Sequence, residues 1–351
     1  MLSYLKEKIS GSSSKMITYA EFIEEALYHP EWGYYMKEGV KVGRKGDFIT
    51  TSNISDIYGR LIAKWFLQQK KELGLPSAVC ELGAGNGRFA AAFIDEWDKN
   101  SEESLAYFIV ETSPYHRQLQ KELLGSRIQQ VESIENLKPF DGFIFSNELF
   151  DAFPVHVVEC HHEQLFEVMI TMVDDQLVEK KVSLNNVEIE QFIEKSGLTL
   201  RNNQRIEIPL AMERMIRSLT DAVGRGWFVT VDYGYRDTEW NEAIHCKGSL
   251  RGYYKHEQFN DVLKHVGEMD ITSHVHFDSL IRMGEENRLE FVRIQRQDEF
   301  FLSIGILEEL ENHADPNPFS EVSRRNRSIK SLIMPSGMST YFHVVIQKKG
   351  I

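Results

Sequence analysis

The feature that most constrains this chain is a glycine-rich turn, Glu81-Leu-Gly83-Ala-Gly85-Asn-Gly87, set between a short apolar run, AVCELG, and a helical run, RFAAAFIDEW. A chain that turns sharply out of a buried strand into a helix can bring bare backbone against a ligand, because no Cβ stands in the way at the glycines. Three more apolar runs follow, AYFIVET, FDGFIFSNE and GWFVTVDYG, with helical stretches among them. That alternation is the pattern of βαβ units on a parallel sheet, so an α/β fold is expected.

The rest of the chain is read around that sheet. Residues 1–16 read as a flexible tail and 17–75 as N-terminal helices with a lid loop. In the first helix Tyr19, Phe22, Ile23, Ala26 and Leu27 have helical spacing behind a Thr18/Glu21 capping box. Tyr58, Leu61, Ile62, Trp65 and Phe66 write the second, with Gly74 and Pro76 as stop signals. The loop between them, Gly39 to Ser55, is long enough to be a binding loop. Residues 76–154 are the ligand-binding core, 155–225 an inserted α+β subdomain of hairpins and two helices (Glu188–Gly197 and Ala211–Val223), and 226–351 the remainder of the sheet. In that last part a helix is expected over His256–Val266, and strands at LEFVRIQ and YFHVVIQKK.

Composition narrows the function. With 40 Lys+Arg against 53 Asp+Glu the formal charge is −13, which opposes a nonspecific grip on nucleic acid. No apolar run reaches the roughly 18 residues of a membrane span, and Met1 to Gly11 is too polar for a signal peptide, so a cytoplasmic location is the default expectation. Cys80, Cys160 and Cys246 stand far apart with no C-x-x-C and read as free thiols.

The turn is not a dinucleotide fingerprint. G-x-G-x-x-G would need a third glycine at 88, which is Arg88. Glu81 beside the turn would repel a pyrophosphate and favour a cationic ligand, which fits a zwitterionic sulfonium cofactor. Glu111 ends the next apolar run, 111 − 87 = 24 positions past the last glycine, where a carboxylate can accept from both ribose hydroxyls. Asn147, Glu148 and Asp151 follow the third run and are expected to face the cleft, with helix capping as the structural alternative for Asn147 and Asp151. His274 and His276 would share a strand face; no ligand set accompanies them, so they are read as surface or cleft histidines and no metal is expected. His161 and His162 read as solvated hairpin residues, and Arg324, Arg325, Arg327 and Lys330 as a solvated face.

The ordered set YAEFIEEALYHPEWGYY, GDFIT, CELGAGNGRFA, IVETSPYHRQLQ, SNELFDAFPV, VDYG, GSLRGYYKH, DITSHVHF and LIMPSGMSTYFHVVIQKKG resembles the MidA-like family of S-adenosylmethionine-dependent methyltransferases. The similarity runs from about Ile17 to Gly350, and the family includes a protein-arginine methyltransferase of mitochondrial complex I assembly. The resemblance implies a class I methyltransferase, Rossmann-like sheet with helices on both faces, an N-terminal helical segment and an inserted substrate-side subdomain. It implies S-adenosyl-L-methionine as cofactor, held by Gly83, Gly85, Gly87 and Glu111, with Asp47, Thr50 and Thr51 closing over it. Asn147 and Glu148 would line the methyl-transfer side, and the acceptor would be a protein, with arginine the known target within the family; Glu148 is then expected to hold the acceptor, Asp151 to support it or receive the released proton, and Asn147 to hold the acceptor or the cofactor's amino-acid end. Ser52-Asn53 and His274-Val-His276 depart from the family pattern and bear on the acceptor. A noncatalytic assembly factor retaining the fold, and a nicotinamide oxidoreductase, are the alternative readings.

Overall fold

The computed structural model describes residues 1–39, 56–311, 317, 319–334 and 338–351. Its strands, in chain order, are β1 (Ile17–Thr18), β2 (Ala78–Leu82), β3 (Ala106–Val110), β4 (Gln129–Val131), β5 (Phe140–Asn147), β6 (His156–His161), β7 (Gln164–Val173), β8 (Gln176–Ser183), β9 (Arg205–Ile208), β10 (Val223–Tyr235), β11 (Arg251–Tyr254), β12 (Glu257–Phe259), β13 (Asp270–Thr272), β14 (Val275–His276), β15 (Glu290–Arg296) and β16 (Phe342–Lys349). The chain divides into a hairpin unit (Met1–Gly39, Phe150–Arg217, Gly234–Met283) and a sheet unit (Val40–Leu149, Ser218–Tyr233, Gly284–Ile351). Each expected segment from 17–75 onward is therefore split between the units.

In the sheet unit the strand order is β15-β16-β10-β5-β2-β3-β4. β10, β5, β2, β3 and β4 run parallel, and β16 is antiparallel to both β10 and β15. The helices Ile57–Leu73 and Arg88–Asn100 pack on this sheet through aromatic side chains. Phe89 stacks on Phe145 at 4.3 Å between ring centroids, and Phe66 on Phe143 at 4.7 Å. A Cβ at Gly59 would lie 2.8 Å from the Phe89 carbonyl, so the glycine lets the two helices meet. The apolar runs read as buried strands because both faces of the sheet's centre are covered.

The hairpin unit holds a sheet ordered β1-β7-β6-β9 with β8 on β7, and a second sheet ordered β12-β11-β13. The turns His162-Glu163 and Asp174-Asp175 have φ of 47°, 64°, 47° and 61°, the all-positive pattern of two-residue hairpin turns. Helices Val187–Ser196 and Leu210–Ala222 lie within two residues of their expected bounds.

Two expectations are corrected. The tail is not frayed: Leu2–Gly11 is a helix whose Leu5 and Ile9, one turn apart, are buried, and Tyr4 Oη donates to Glu25 at 3.1 Å. The helix expected at His256–Val266 is absent, because Lys255 and His256 take φ of 50° and 66° and close a hairpin from β11 into β12. A helix the pattern did not separate, Phe277–Glu286, lies further on. No described helix is long and apolar enough to cross a membrane.

Candidate active site

β2 has β3 on one side and β5 on the other. The chain leaves β2 outward through β3 and β4, then returns to β5 on the opposite side and continues to β10. Loops from the carboxyl ends of β2 and β5 therefore diverge, and such a switch point opens a ligand crevice. The glycine turn follows β2, and Asn147 with Glu148 ends β5.

Gly83, Gly85 and Gly87 have φ of 66°, 52° and 79°, values that cost a residue with a Cβ about 1–2 kcal/mol. A Cβ on Gly85 would find nothing within 4 Å, so the turn borders open space. Glu111 ties the turn to the tip of β3. One carboxylate oxygen accepts from the Gly85 N–H at 3.1 Å and the other from the Ser113 N–H at 2.9 Å. The Gln120 amide donates to the Gly85 carbonyl at 2.7 Å. Burial holds the Glu111 carboxyl above its ordinary range despite these donors. Glu81 is spent differently: it is buried within the sheet layer and accepts from Tyr107 Oη at 2.7 Å. Burial pushes its pKa up to about 8.

The tip of β5 is a chain of side-chain hydrogen bonds. Tyr58 Oη donates to Asn147 Oδ1 at 2.8 Å, and Asn147 Nδ2 donates to Glu148 Oε1 at 3.0 Å. Glu148 takes φ of 50°, an uncommon backbone for a residue with a side chain, while its N–H donates to the Val231 carbonyl at 2.8 Å. Asp232 Oδ2 accepts from the next N–H, Leu149, at 3.2 Å, and its Oδ1 from the Tyr233 N–H at 2.9 Å. A half-buried carboxylate is thus held at a strand tip by contacts from the helix Ile57–Leu73 and from β10.

Asp151 belongs to the hairpin unit, is buried, and accepts from the Ser273 N–H through its carbonyl at 2.8 Å. Asp47, Thr50 and Thr51, and the lid loop apart from Gly39, lie outside the described residues. His276 is not at a surface: it is buried, stacked on Trp240 at 4.3 Å, and pushed down to about 3 by desolvation. His274 is half-buried, stacks on Tyr235 at 4.5 Å, and is lowered to about 4, again mainly by burial. Among the described residues no group of three His, Cys, Asp or Glu is placed to hold a metal.

Sequence reasoning passed over Tyr58 and Gln120, and held Asp232 with Tyr233 only as the residues to change next if Glu148 proved silent. Tyr58 was counted as one more apolar residue of a helical stripe. A buried tyrosine hydroxyl needs a partner, and that was the available signal.

The fold and the switch-point turn define a class I methyltransferase sheet, and comparison with known proteins agrees. A family described as "Putative S-adenosyl-L-methionine-dependent methyltransferase" matches residues 61–295, and the chain belongs to that family. It is similar to the protein arginine methyltransferase NDUFAF7, mitochondrial, of Rattus norvegicus, with 26% identity over 98% of this chain and 83% of the relative. The Danio rerio protein of the same name is 25% identical over 97% of this chain and 85% of the relative. A crystal structure from Burkholderia thailandensis with S-adenosyl-homocysteine bound superposes with a TM-score of 0.91 at 25% identity, covering 100% of this chain and 92% of that one. The protein is an S-adenosylmethionine-dependent methyltransferase, and the nicotinamide reading falls. The cytoplasmic expectation is corrected too: these relatives are mitochondrial proteins.

Proposed function

We propose that the chain methylates arginine in a protein acceptor, with the turn at Gly83–Gly87 and Glu111 holding the cofactor and Glu148 holding the acceptor. The observation that carries this reading is the Tyr58–Asn147–Glu148 chain, which fixes one carboxylate at the tip of β5 with φ of 50°. The names of the relatives, protein arginine methyltransferases, supply the acceptor class.

The cofactor fits the residues present. Gly85 borders open space, and Glu111 offers carboxylate acceptors beside it for ribose hydroxyls. Bound adenosylmethionine supplies an electrophilic methyl group on a sulfonium. An arginine guanidinium stays protonated at neutral pH and carries five N–H donors and no acceptor. Glu148 accepts from two of those donors, fixes the plane of the guanidinium, and draws its positive charge away from the nitrogen left outside the pair. Asn147, held by Tyr58, keeps the carboxylate in one orientation; the outer guanidinium nitrogen would take the methyl group as its bond to sulfur breaks, leaving a neutral thioether, and would lose one N–H proton to solvent, so the guanidinium keeps its charge.

The test is labelled methyl transfer from adenosylmethionine into a cell extract, followed by hydrolysis and mass-spectrometric identification of the labelled residue. Methylarginine is expected. Glu148→Gln should lower the labelling rate by about 10²-fold or more while calorimetric affinity for adenosylmethionine stays within about twofold, since an amide lacks the charge that faces the acceptor. Label on another residue type would overturn the acceptor assignment, and wild-type labelling by Glu148→Gln would overturn the role of Glu148.

A further inference from the structure

The GSLRGYY segment belongs to the hairpin unit and takes no part in the cofactor turn. Arg251 opens β11 and pairs with Thr272 of β13. Ser249 Oγ accepts from the His274 N–H at 2.9 Å, which continues the antiparallel register beyond the strands and sets the stretch from Ser249 to Arg251 alongside Thr272 to His274. Ser249 is itself anchored, its N–H and hydroxyl both donating to buried Glu207 Oε2 at 2.8 Å. The segment that carries Arg251 is therefore rigidly placed.

The guanidinium of Arg251 is half-buried and its partners are neutral. It donates to the Leu250 carbonyl at 2.6 Å and reaches the Gly248 carbonyl at 3.5 Å. It forms no ion pair with any described carboxylate, in a chain whose acids outnumber its bases 53 to 40. A guanidinium partly out of water and offset only by carbonyl dipoles is an under-compensated charge with donors to spare. Rings surround it. Tyr235 stacks on His274 at 4.5 Å with an interplanar angle of 7°, and meets His245 at 4.0 Å. The positive charge of Arg251 disfavours a proton on Tyr235, Tyr253 and His274. With His274 neutral, Arg251 supplies a full positive charge and the phenols and imidazoles supply hydrogen-bond donors and flat walls.

We propose that Arg251, diagonal to His274 and its stacking partner Tyr235, binds a carboxylate of the protein acceptor and so favours acceptors that present a free acidic group. One planar guanidinium with donors to spare matches a carboxylate bidentately; a phosphate dianion would call for further cations. This inference rests on the reading that the acceptor is a protein.

The experiment is imidazole-selective NMR on the intact chain, following His245 and His274 as probes are added. N-acetylglutamate α-amide represents an acidic side chain, N-acetylalanine a chain terminus, and inorganic phosphate the competing anion. Saturable shifts are expected with a carboxylate probe, and the ratio of the first two tells which source is preferred. Arg251→Gln should raise the probe's Kd about tenfold or more, while Arg251→Lys, which keeps the charge, should lose less. Calorimetry with adenosylmethionine on each variant checks that the cofactor turn is intact. Absence of shifts with both carboxylates, shifts unchanged in Arg251→Gln, or binding of phosphate alone would each overturn the proposal. Arginine labelling that persists without carboxylate binding sinks this inference alone. Carboxylate binding without arginine labelling sinks the functional reading instead.

Discussion

The tips of β2 and β5 are neighbours in one sheet, with Leu82 paired to Ser146, yet they depart from the strands in opposite ways. Beyond β2 the backbone enters positive φ at Gly83, Gly85 and Gly87, where no side chain exists to strain or obstruct. Beyond β5 it enters positive φ at Glu148, where a side chain must be kept. The first tip offers backbone to a ligand, and the second offers a carboxylate. Side-chain bonds make up for what glycine would have given freely: Asp232 accepts from the Leu149 N–H, and Asn147 and Tyr58 fix the carboxylate itself. Strain that survives only because its surroundings over-determine it is a mark of a functional position.

The contrast can be broken most sharply at Gly85. Gly85→Val adds a branched side chain to the open space beside the turn at φ of 52°, and adenosylmethionine affinity should fall about 100-fold or more, with the fold retained by circular dichroism. Unchanged affinity in calorimetry would move the cofactor away from β2.

Glu111→Ala comes next. It removes the acceptor of the Gly85 and Ser113 N–H groups, and charge-assisted bonds of this kind contribute about 1.5–3 kcal/mol. Cofactor affinity should drop roughly tenfold or more. A change confined to melting temperature, with affinity intact, would make Glu111 purely a brace of the turn.

Glu81 tests whether the β2 tip works through charge. Its pKa is raised to about 8 in the folded chain, so the native state holds a proton there that the unfolded state releases at lower pH. The associated stability is complete below the ordinary carboxylate pKa and is lost as pH rises through about 8. Glu81→Gln, which keeps an acceptor for Tyr107 and cannot ionise, should flatten that fall in a chemical-denaturation series across pH 5 to 9 or so. An unaltered slope would mean that Glu81 ionises normally.

The smallest effect sharpens the comparison at β5. Glu148→Gly relieves the backbone at the cost of unfolded-state entropy, for a net change in stability within about 1 kcal/mol. Activity should nevertheless be lost, since the carboxylate is gone. A marked destabilisation in thermal melts would show that Glu148 is retained for folding.

Much of this was legible before any coordinates. The apolar runs at β2, β3, β5 and β10 stand out because strands in the covered part of a sheet are rich in apolar residues, β15 and β16 stand out as a strand-like run and an alternating one, and the glycine turn stands out because only glycine suits its backbone. The three-residue β4 and the helix Phe277–Glu286 did not separate from their surroundings, being too short or too mixed in pattern. The helix at Leu2–Gly11 was missed because its burial depends on partners far along the chain, as Glu25 shows by accepting from Tyr4.

By itself the sequence determined the class of sheet, the glycine turn proposed to meet the cofactor, and the family, because these depend on residue types at short spacing. Tertiary structure alone decided that Glu81 looks inward to Tyr107, that His276 is a buried stacking partner of Trp240, and that Tyr58 reaches Asn147 across 89 positions of chain. It also decided that Arg251 lacks an ion pair with any described carboxylate. The reason is physical: whether a polar group is spent on folding or kept for a ligand depends on which atoms surround it, and distant segments supply most of those atoms.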